Sequence, residues 1–240
     1  MSGHSKWSTI KRKKGAADAK RGAVFTRLSK DITLAARDGG GDCDMNPSLR
    51  LAIKKAKSSN MPAANIDRAI KKGIGEIPGV VYENYIYEGY GPSGVAVLIE
   101  VLSDNKNRTF PEIKSIMSKN GGNLGESGCV NWMFEKKGTV VVNLSEDMDE
   151  ENLIELIIEL EAEDFSSEGS IFEIITNPDS FEEMIEALDK NNYDVEGDIG
   201  LVPINTVKIS EDDSRSIIKL LEILEDHEDV QKLYSNFEVN

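Results

Sequence analysis

The sequence predicts an α+β protein: a small N-terminal helical domain followed by two α/β sandwich domains, the last ferredoxin-like and inserted into the middle one. Three observations carry this reading. Between residues 18 and 76, short apolar stripes recur at helical spacing, bounded by caps and glycines. After Gly75, similar stripes alternate with runs rich in β-branched and aromatic residues. Residues 138–202 run strand, helix, strand, strand, helix, strand, which is the βαββαβ order of a ferredoxin-like unit. The expected organisation is a flexible basic tail (1–17), a three-helix basic domain (18–76), an α+β domain (77–137 with 203–240) and an acidic insertion (138–202).

The tail has only Trp7 and Ile10 as large apolar groups, too little to offset the entropy of ordering it. The first helix is expected from Asp18 to Asp38. Val24, Phe25, Leu28, Ile32, Ala35 and Ala36 fall within about a third of its circumference at ~100° per residue. Leu34 lies off that stripe, available to a neighbouring element or to solvent. Gly39, Gly40 and Gly41 end the helix. Asn46 and Pro47 give the second helix a cap and a first-turn proline, and its stripe is Leu49, Ala52, Ile53 and Ala56. The third follows Asn60-Met61-Pro62, buries Ile66, Ala69 and Ile70, and ends at Gly73. Lys71 and Lys72 occupy its last turn, where the helix dipole favours cations.

Tyr82 to Tyr87 reads as a strand, Gly89 to Gly94 as a turn and Val95 to Leu102 as a buried strand. A helix bearing Phe110, Ile113, Ile116 and Met117 precedes a glycine-rich loop from Gly121 to Gly128. Val130, Trp132 and Phe134 alternate as a further strand. The insertion follows with strands at Thr139–Asn143, near Phe165, at Ile171–Thr176 and at Asp194–Val202, and helices at Glu150–Glu161 and Asp179–Asn191. The final strand, helix and strand (Thr206–Ile209, Asp212–Glu225, Val230–Val239) are expected to complete the sheet begun at Tyr82.

The totals narrow the function. With 39% hydrophobic and 30% charged residues over 240 positions, the chain has an ordinary globular composition. No apolar run approaches the roughly 20 residues that span a bilayer, and no hydrophobic segment follows the basic N-terminus as in a secretory signal. Cys43 and Cys129 have no metal-binding or redox spacing, and two distant cysteines fit a reducing cytoplasm. The charge distribution is more telling. Residues 1–76 hold 17 of the 28 Lys and Arg but 7 of the 43 Asp and Glu, a net charge of about +10. The remainder is near −25, so attraction for polyanions is confined to the head.

Lys6 and Trp7 precede the run Lys11, Arg12, Lys13 and Lys14. Arg50, Lys54 and Lys57 lie within about 60° of one another on the second helix. On the first helix, Lys20 and Arg27 share one flank, and Lys30 and Arg37 another. Nucleic-acid contacts are expected from Lys6, Trp7, Lys11, Arg12, Lys13, Lys14, Lys20, Arg21, Arg50, Lys54, Lys57, Lys71 and Lys72. The cations neutralise phosphates and Trp7 stacks on a base. The alternative is a solvated surface that balances the acidic remainder within the chain.

Other motifs are weaker. The Gly121–Gly128 loop lacks a GKS or GKT ending and leads into a strand, which favours a structural connection over nucleotide binding. Asp104-Asn105 reads as a helix cap with Arg108 at the surface. The acidic run from Glu146 to Glu151 lacks calcium-loop spacing. His4 and His227 have no catalytic or zinc-binding companions. No cofactor, metal site or enzymatic activity is expected.

Taken together, Gly3-His4-Ser5-Lys6-Trp7, Ile10-Lys11, Asp18, Arg21, Phe25 and Leu28 resemble the opening of the YebC/PmpR family. So do Asn60-Met61-Pro62, Asn65-Ile66, Arg68-Ala69-Ile70 and Lys72-Gly73. Further along, Tyr87-Glu88-Gly89-Tyr90-Gly91-Pro92, Asp104-Asn105, Asn107-Arg108-Thr109, Gly121-Gly122 and Leu124-Gly125 continue the likeness. Cys129 departs from it, standing where the family pattern has serine. The resemblance implies a three-domain α+β protein and cytoplasmic, non-enzymatic control of gene expression. Two descriptions of that control compete: a DNA-binding transcriptional regulator, and a ribosome-binding translation factor that relieves stalling, with mitochondrial relatives that activate translation. The implied partner is DNA or ribosomal RNA, without a membrane.

Overall fold

A computed structural model describes residues 21–79, 81–144 and 150–239. The described chain has α1 (Arg21–Gly39), α2 (Pro47–Ser58), α3 (Ala63–Gly73), β1 (Glu83–Tyr90), β2 (Ala96–Ser103), α4 (Lys106–Lys119), β3 (Asn123–Leu124) and β4 (Phe134–Asn143). It continues with α5 (Glu150–Glu159), β5 (Asp164–Glu168), β6 (Ile171–Thr176), α6 (Phe181–Lys190), β7 (Asp194–Pro203), β8 (Val207–Ile209), α7 (Glu211–Glu225), β9 (Val230–Ser235) and β10 (Phe237–Val239). Two compact units result, one from Trp132 to Thr206 and one containing residues 21–131 and 207–239.

In the larger unit, the three N-terminal helices close over Ile32, Ala36, Leu49, Ala56, Met61, Ile66 and Ala69. Asn46 fixes two of them at once. Its Oδ1 accepts from the Leu49 N–H (3.0 Å), capping α2, while its Nδ2 donates to the carbonyls of Ala35 and Gly40 (both 2.8 Å). An antiparallel sheet ordered β3-β1-β2-β9 follows. Val97, Ile99 and Val101 of β2 pack with Ile113 and Met117 of α4 and with Ile217, Leu220, Leu221 and Leu224 of α7. Asn105 caps α4 and Ser210 caps α7 through their side-chain oxygens.

The smaller unit is an antiparallel sheet ordered β5-β6-β4-β7, the ferredoxin-like arrangement expected of βαββαβ connectivity. Val140, Val142, Phe172 and Ile174 meet Leu153 and Ile157 of α5 and Met184 and Leu188 of α6.

Four details differ from the sequence expectation. Gly89 belongs to β1 rather than to a turn, pairing with Val97 on one side and Leu124 on the other. The glycine-rich loop contributes β3 to that pairing. Val130, Trp132 and Phe134 do not form one strand: Asn131–Met133 is a short 3-10 turn, and β4 starts at Phe134 and runs unbroken to Asn143. The last run divides at Asn236, so that β9 completes the large sheet while β10 pairs in parallel with β8 as a separate ribbon. Asn236 accounts for the break, since its Oδ1 accepts from the Ala96 N–H and its carbonyl from the Val207 N–H (2.8 and 2.7 Å).

Candidate nucleic-acid interface

The cations of the helical head fall into two groups, and the difference is what each one touches. Three on α1, Arg27, Lys30 and Arg37, are committed within the unit. Lys30 is buried, and its ammonium donates to the carbonyls of Leu102 (3.1 Å) and Glu228 (2.9 Å) and to Asp229 Oδ1 (2.5 Å). Arg27 lies 3.8 Å from the Glu225 carboxylate. Arg37 donates through Nη1 to the Tyr82 carbonyl (2.8 Å) and through Nε to Asp38 (3.0 Å). Lys30 and Arg37, which share one flank of α1, therefore turn toward the middle sheet and the segment before it. α1 has partners on two sides: its apolar stripe meets α2 and α3, and the side bearing Lys30 is pinned to β2 and the turn before β9.

Asp229 is the centre of that second contact. It is 1% exposed, and its Oδ2 accepts from Thr109 Oγ1 (2.6 Å), Arg108 Nη2 (3.0 Å) and Ser103 Oγ (3.0 Å). Burial alone would raise its pKa, but the donors from Lys30, Thr109 and Arg108 outweigh burial and hold the carboxyl far below the usual range. The Asp104–Thr109 segment thus does more than cap a helix. Asn105 does accept from the Arg108 N–H (3.1 Å), yet Arg108 also bridges Asp104 and Asp229.

The second group lies on α2 and α3. Leu49, Ala52 and Ala56 turn the inner face of α2 into the core, which leaves Arg50, Lys54 and Lys57 exposed on the outer face. Lys71 is exposed and Lys72 half-buried in the last turn of α3. Lys54, Lys57, Lys71 and Lys72 make no ion pair among the described residues. Arg50 sits among them with two of its donors used, Nε to the Cys43 carbonyl (3.1 Å) and Nη2 to the Asp44 carbonyl (3.2 Å). Lys6, Trp7, Lys11, Arg12, Lys13, Lys14, Lys20 and the Arg21 side chain lie outside the described residues, as does the acidic stretch 145–149.

The glycine-rich loop is closed to phosphate. Glu88 is buried beneath it, and its carboxylate accepts from the N–H groups of Gly128 (2.7 Å), Val130 (2.9 Å) and Asn131 (2.8 Å). Burial pushes the Glu88 carboxyl up, but these three donors prevail and hold it below the ordinary range. The loop amides that might cradle an anion already hold one. No cluster of metal-ligating side chains occurs among the described residues. Among them too, no helix is long and apolar enough to cross a membrane, and neither cysteine forms a disulfide.

These features define an α+β protein with a basic three-helix head, an antiparallel sheet domain and an acidic ferredoxin-like unit. The chain belongs to the TACO1/YebC family. Residues 5–76 match the TACO1/YebC protein N-terminal domain, and residues 82–237 match the TACO1/YebC second and third domain. A protein of Halothermothrix orenii is 52% identical over 242 residues, covering all of this chain and 96% of its own. One of Syntrophus aciditrophicus is 55% identical over 241 residues, with the same coverage. Both carry the name "Probable transcriptional regulatory protein". The crystal structure of a conserved hypothetical protein from Aquifex aeolicus superimposes with a TM-score of 0.86 at 44% identity, over 98% of each chain.

Proposed function

We propose that this chain is a non-enzymatic, cytoplasmic regulator of gene expression that grips DNA by its phosphates. The described contacts are Arg50, Lys54, Lys57, Lys71 and Lys72, joined by the cations of the N-terminal segment. One observation carries this reading: the head keeps Lys54, Lys57, Lys71 and Lys72 without ion partners among the described residues, while Arg27, Lys30 and Arg37 of α1 have partners within the unit. Unpaired ammonium groups on a domain of net charge near +10 gain affinity by displacing counterions from a polyphosphate. Such contacts fix register on the duplex and carry no sequence information, so promoter choice on this reading depends on DNA shape or on residues of the N-terminal segment. The name carried by the relatives supports transcription as the process regulated.

A second reading, binding to ribosomal RNA in translation, is favoured by the charge of the smaller unit. Residues 132–206 hold 21 acidic residues against 3 Lys and Arg, a net charge of about −18. Long duplex DNA repels such a body, whereas a target engaged by the head alone tolerates it. Gel-shift titration on promoter and random DNA, beside co-sedimentation with ribosomes at moderate salt, separates the two. The proposal expects DNA binding that Lys54→Glu with Lys57→Glu weakens on every sequence alike. Ribosome association that survives competitor DNA, with no DNA shift, would select the second reading. Binding to neither target would end both.

A further inference from the structure

A cleft of about 340 Å³ opens between α1, the end of α3 and the segment leading into β1. That volume lies at the small end of the range for ligand sites, roughly 300–1,000 Å³. Its walls are mostly apolar, with Leu34, Ile77, Pro78 and Tyr82 among them, and two cations, Arg37 and Lys72, also line it. No carboxylate does so among the described residues. Leu34, off the main stripe of α1, has this cleft as its environment. Gly75, at φ +78°, turns the chain after α3, and the Lys30 ammonium lies over the Tyr82 ring, 5.5 Å from its centroid.

We propose that this cleft binds one nucleotide. The flat base lies against Leu34, Ile77 and Tyr82, and the phosphate meets Lys72 and Arg37. Lys72 is the informative group. Its side chain is partly buried and lines the cleft, and with no ion partner among the described residues its ammonium is available to form charge-assisted hydrogen bonds to a phosphate. Arg37 is oriented by its bonds to the Tyr82 carbonyl and Asp38, and its guanidinium keeps further donors beyond the two so engaged. Apolar walls with a cation alongside suit a mononucleotide better than inorganic phosphate, because the base supplies flat surface to bury. The inference rests on the proposed nucleic-acid function only for its source of nucleotide, a base unstacked from a bound strand. A free nucleotide carries the same chemistry.

The full-length protein is titrated with AMP, GMP, CMP and UMP, with the corresponding nucleosides, with inorganic phosphate, and with a single-stranded 12-mer containing 2-aminopurine. Gly79 has no left-handed φ, and a Cβ there would stand an ordinary 3.6 Å from Lys72 Cβ, so Gly79→Leu fills the cleft without changing charge. Saturable mononucleotide binding is expected, weakened tenfold or more by Gly79→Leu in a protein whose melting is unchanged. Lys72→Gln, which leaves the cleft open, is expected to weaken nucleotides but not nucleosides. Lys54→Glu with Lys57→Glu is expected to weaken the 12-mer and spare mononucleotides. Quenching of 2-aminopurine that Gly79→Leu abolishes identifies the strand as a source, and mononucleotide binding without quenching identifies the free nucleotide. Phosphate binding as tightly as the nucleotides, or nucleotide binding untouched by both cleft variants, would overturn the inference. If long nucleic acids fail to bind while mononucleotides do, the cleft stands and the proposed function falls.

Discussion

Replacing Lys30 with methionine tests whether α1 is pinned to the middle sheet by charge. The substitution keeps most of the side-chain volume and removes the ammonium that donates to Asp229 and to the Leu102 and Glu228 carbonyls. Asp229, at 1% exposure, then keeps its negative charge with Thr109, Ser103 and Arg108 alone. Removing one partner of a buried pair costs about 3–5 kcal/mol, because the other charge is left uncompensated. For a unit of this size ~1 kcal/mol shifts the melting temperature by roughly 2–4 °C, so a fall of about 6–20 °C is expected by differential scanning calorimetry. Adding Asp229→Leu to Lys30→Met removes the stranded charge and should recover a large part of that loss. The acid limb has a definite sign. A carboxyl held below its unfolded pKa of about 3.9 stabilises fully above that value, and the stabilisation fades as pH falls below it. The parent protein should therefore lose stability below about pH 4, and the double variant should lose less. A single variant that melts with the parent, or a double variant as unstable as the sum of the singles, would refute the pinning argument.

Glu88→Gln keeps the shape of the side chain but offers an amide to three N–H donors. We expect a loss of about 1–3 kcal/mol, read by faster hydrogen exchange at Gly128, Val130 and Asn131. Since the Glu88 carboxyl is also held below its ordinary value near 4.3, protection at those three amides should fall as pH drops below about 4. Gly73→Ala would place a Cβ 2.5 Å from the Thr33 carbonyl and 2.6 Å from Ala36 Cβ, forcing α3 away from α1. Overpacking of this kind costs about 1–3 kcal/mol, checked by urea denaturation with an unchanged m-value.

Much of the fold was legible because it is written in local signals. Asn46 and Asn105 cap the helices they were expected to cap, and the βαββαβ order yields the β5-β6-β4-β7 sheet. The misreadings share one cause. Gly89 and Gly94 read as punctuation at both ends of a turn, but Gly89 stays in β1 because β3 crosses so close that a Cβ would overlap Asn123. Periodicity carries no information about that neighbour. The same limit governs the site. Lys30 lies about 160° round α1 from Ile32, which in sequence places it on a solvent face. Its partner Asp229 is 199 positions away. Nothing local separates Lys30 from Lys54: both are cations off an apolar stripe, and only tertiary packing makes one a strut and leaves the other unpaired. Leu34 was the one hint, an apolar residue on the far side of α1 signalling a second partner.

That division of the cations is the centre of the account, and the salt dependence of nucleic-acid affinity tests it most directly. Each phosphate contact contributes about −0.9 to the slope of log affinity against log salt on duplex DNA. Neutralising Lys54 and Lys57 to glutamine should make the slope shallower by about 2, while Arg27→Gln, which removes a cation facing Glu225, should leave it unchanged. An equal change in both variants, or none in either, would contradict the assignment of binding to the outer faces of α2 and α3.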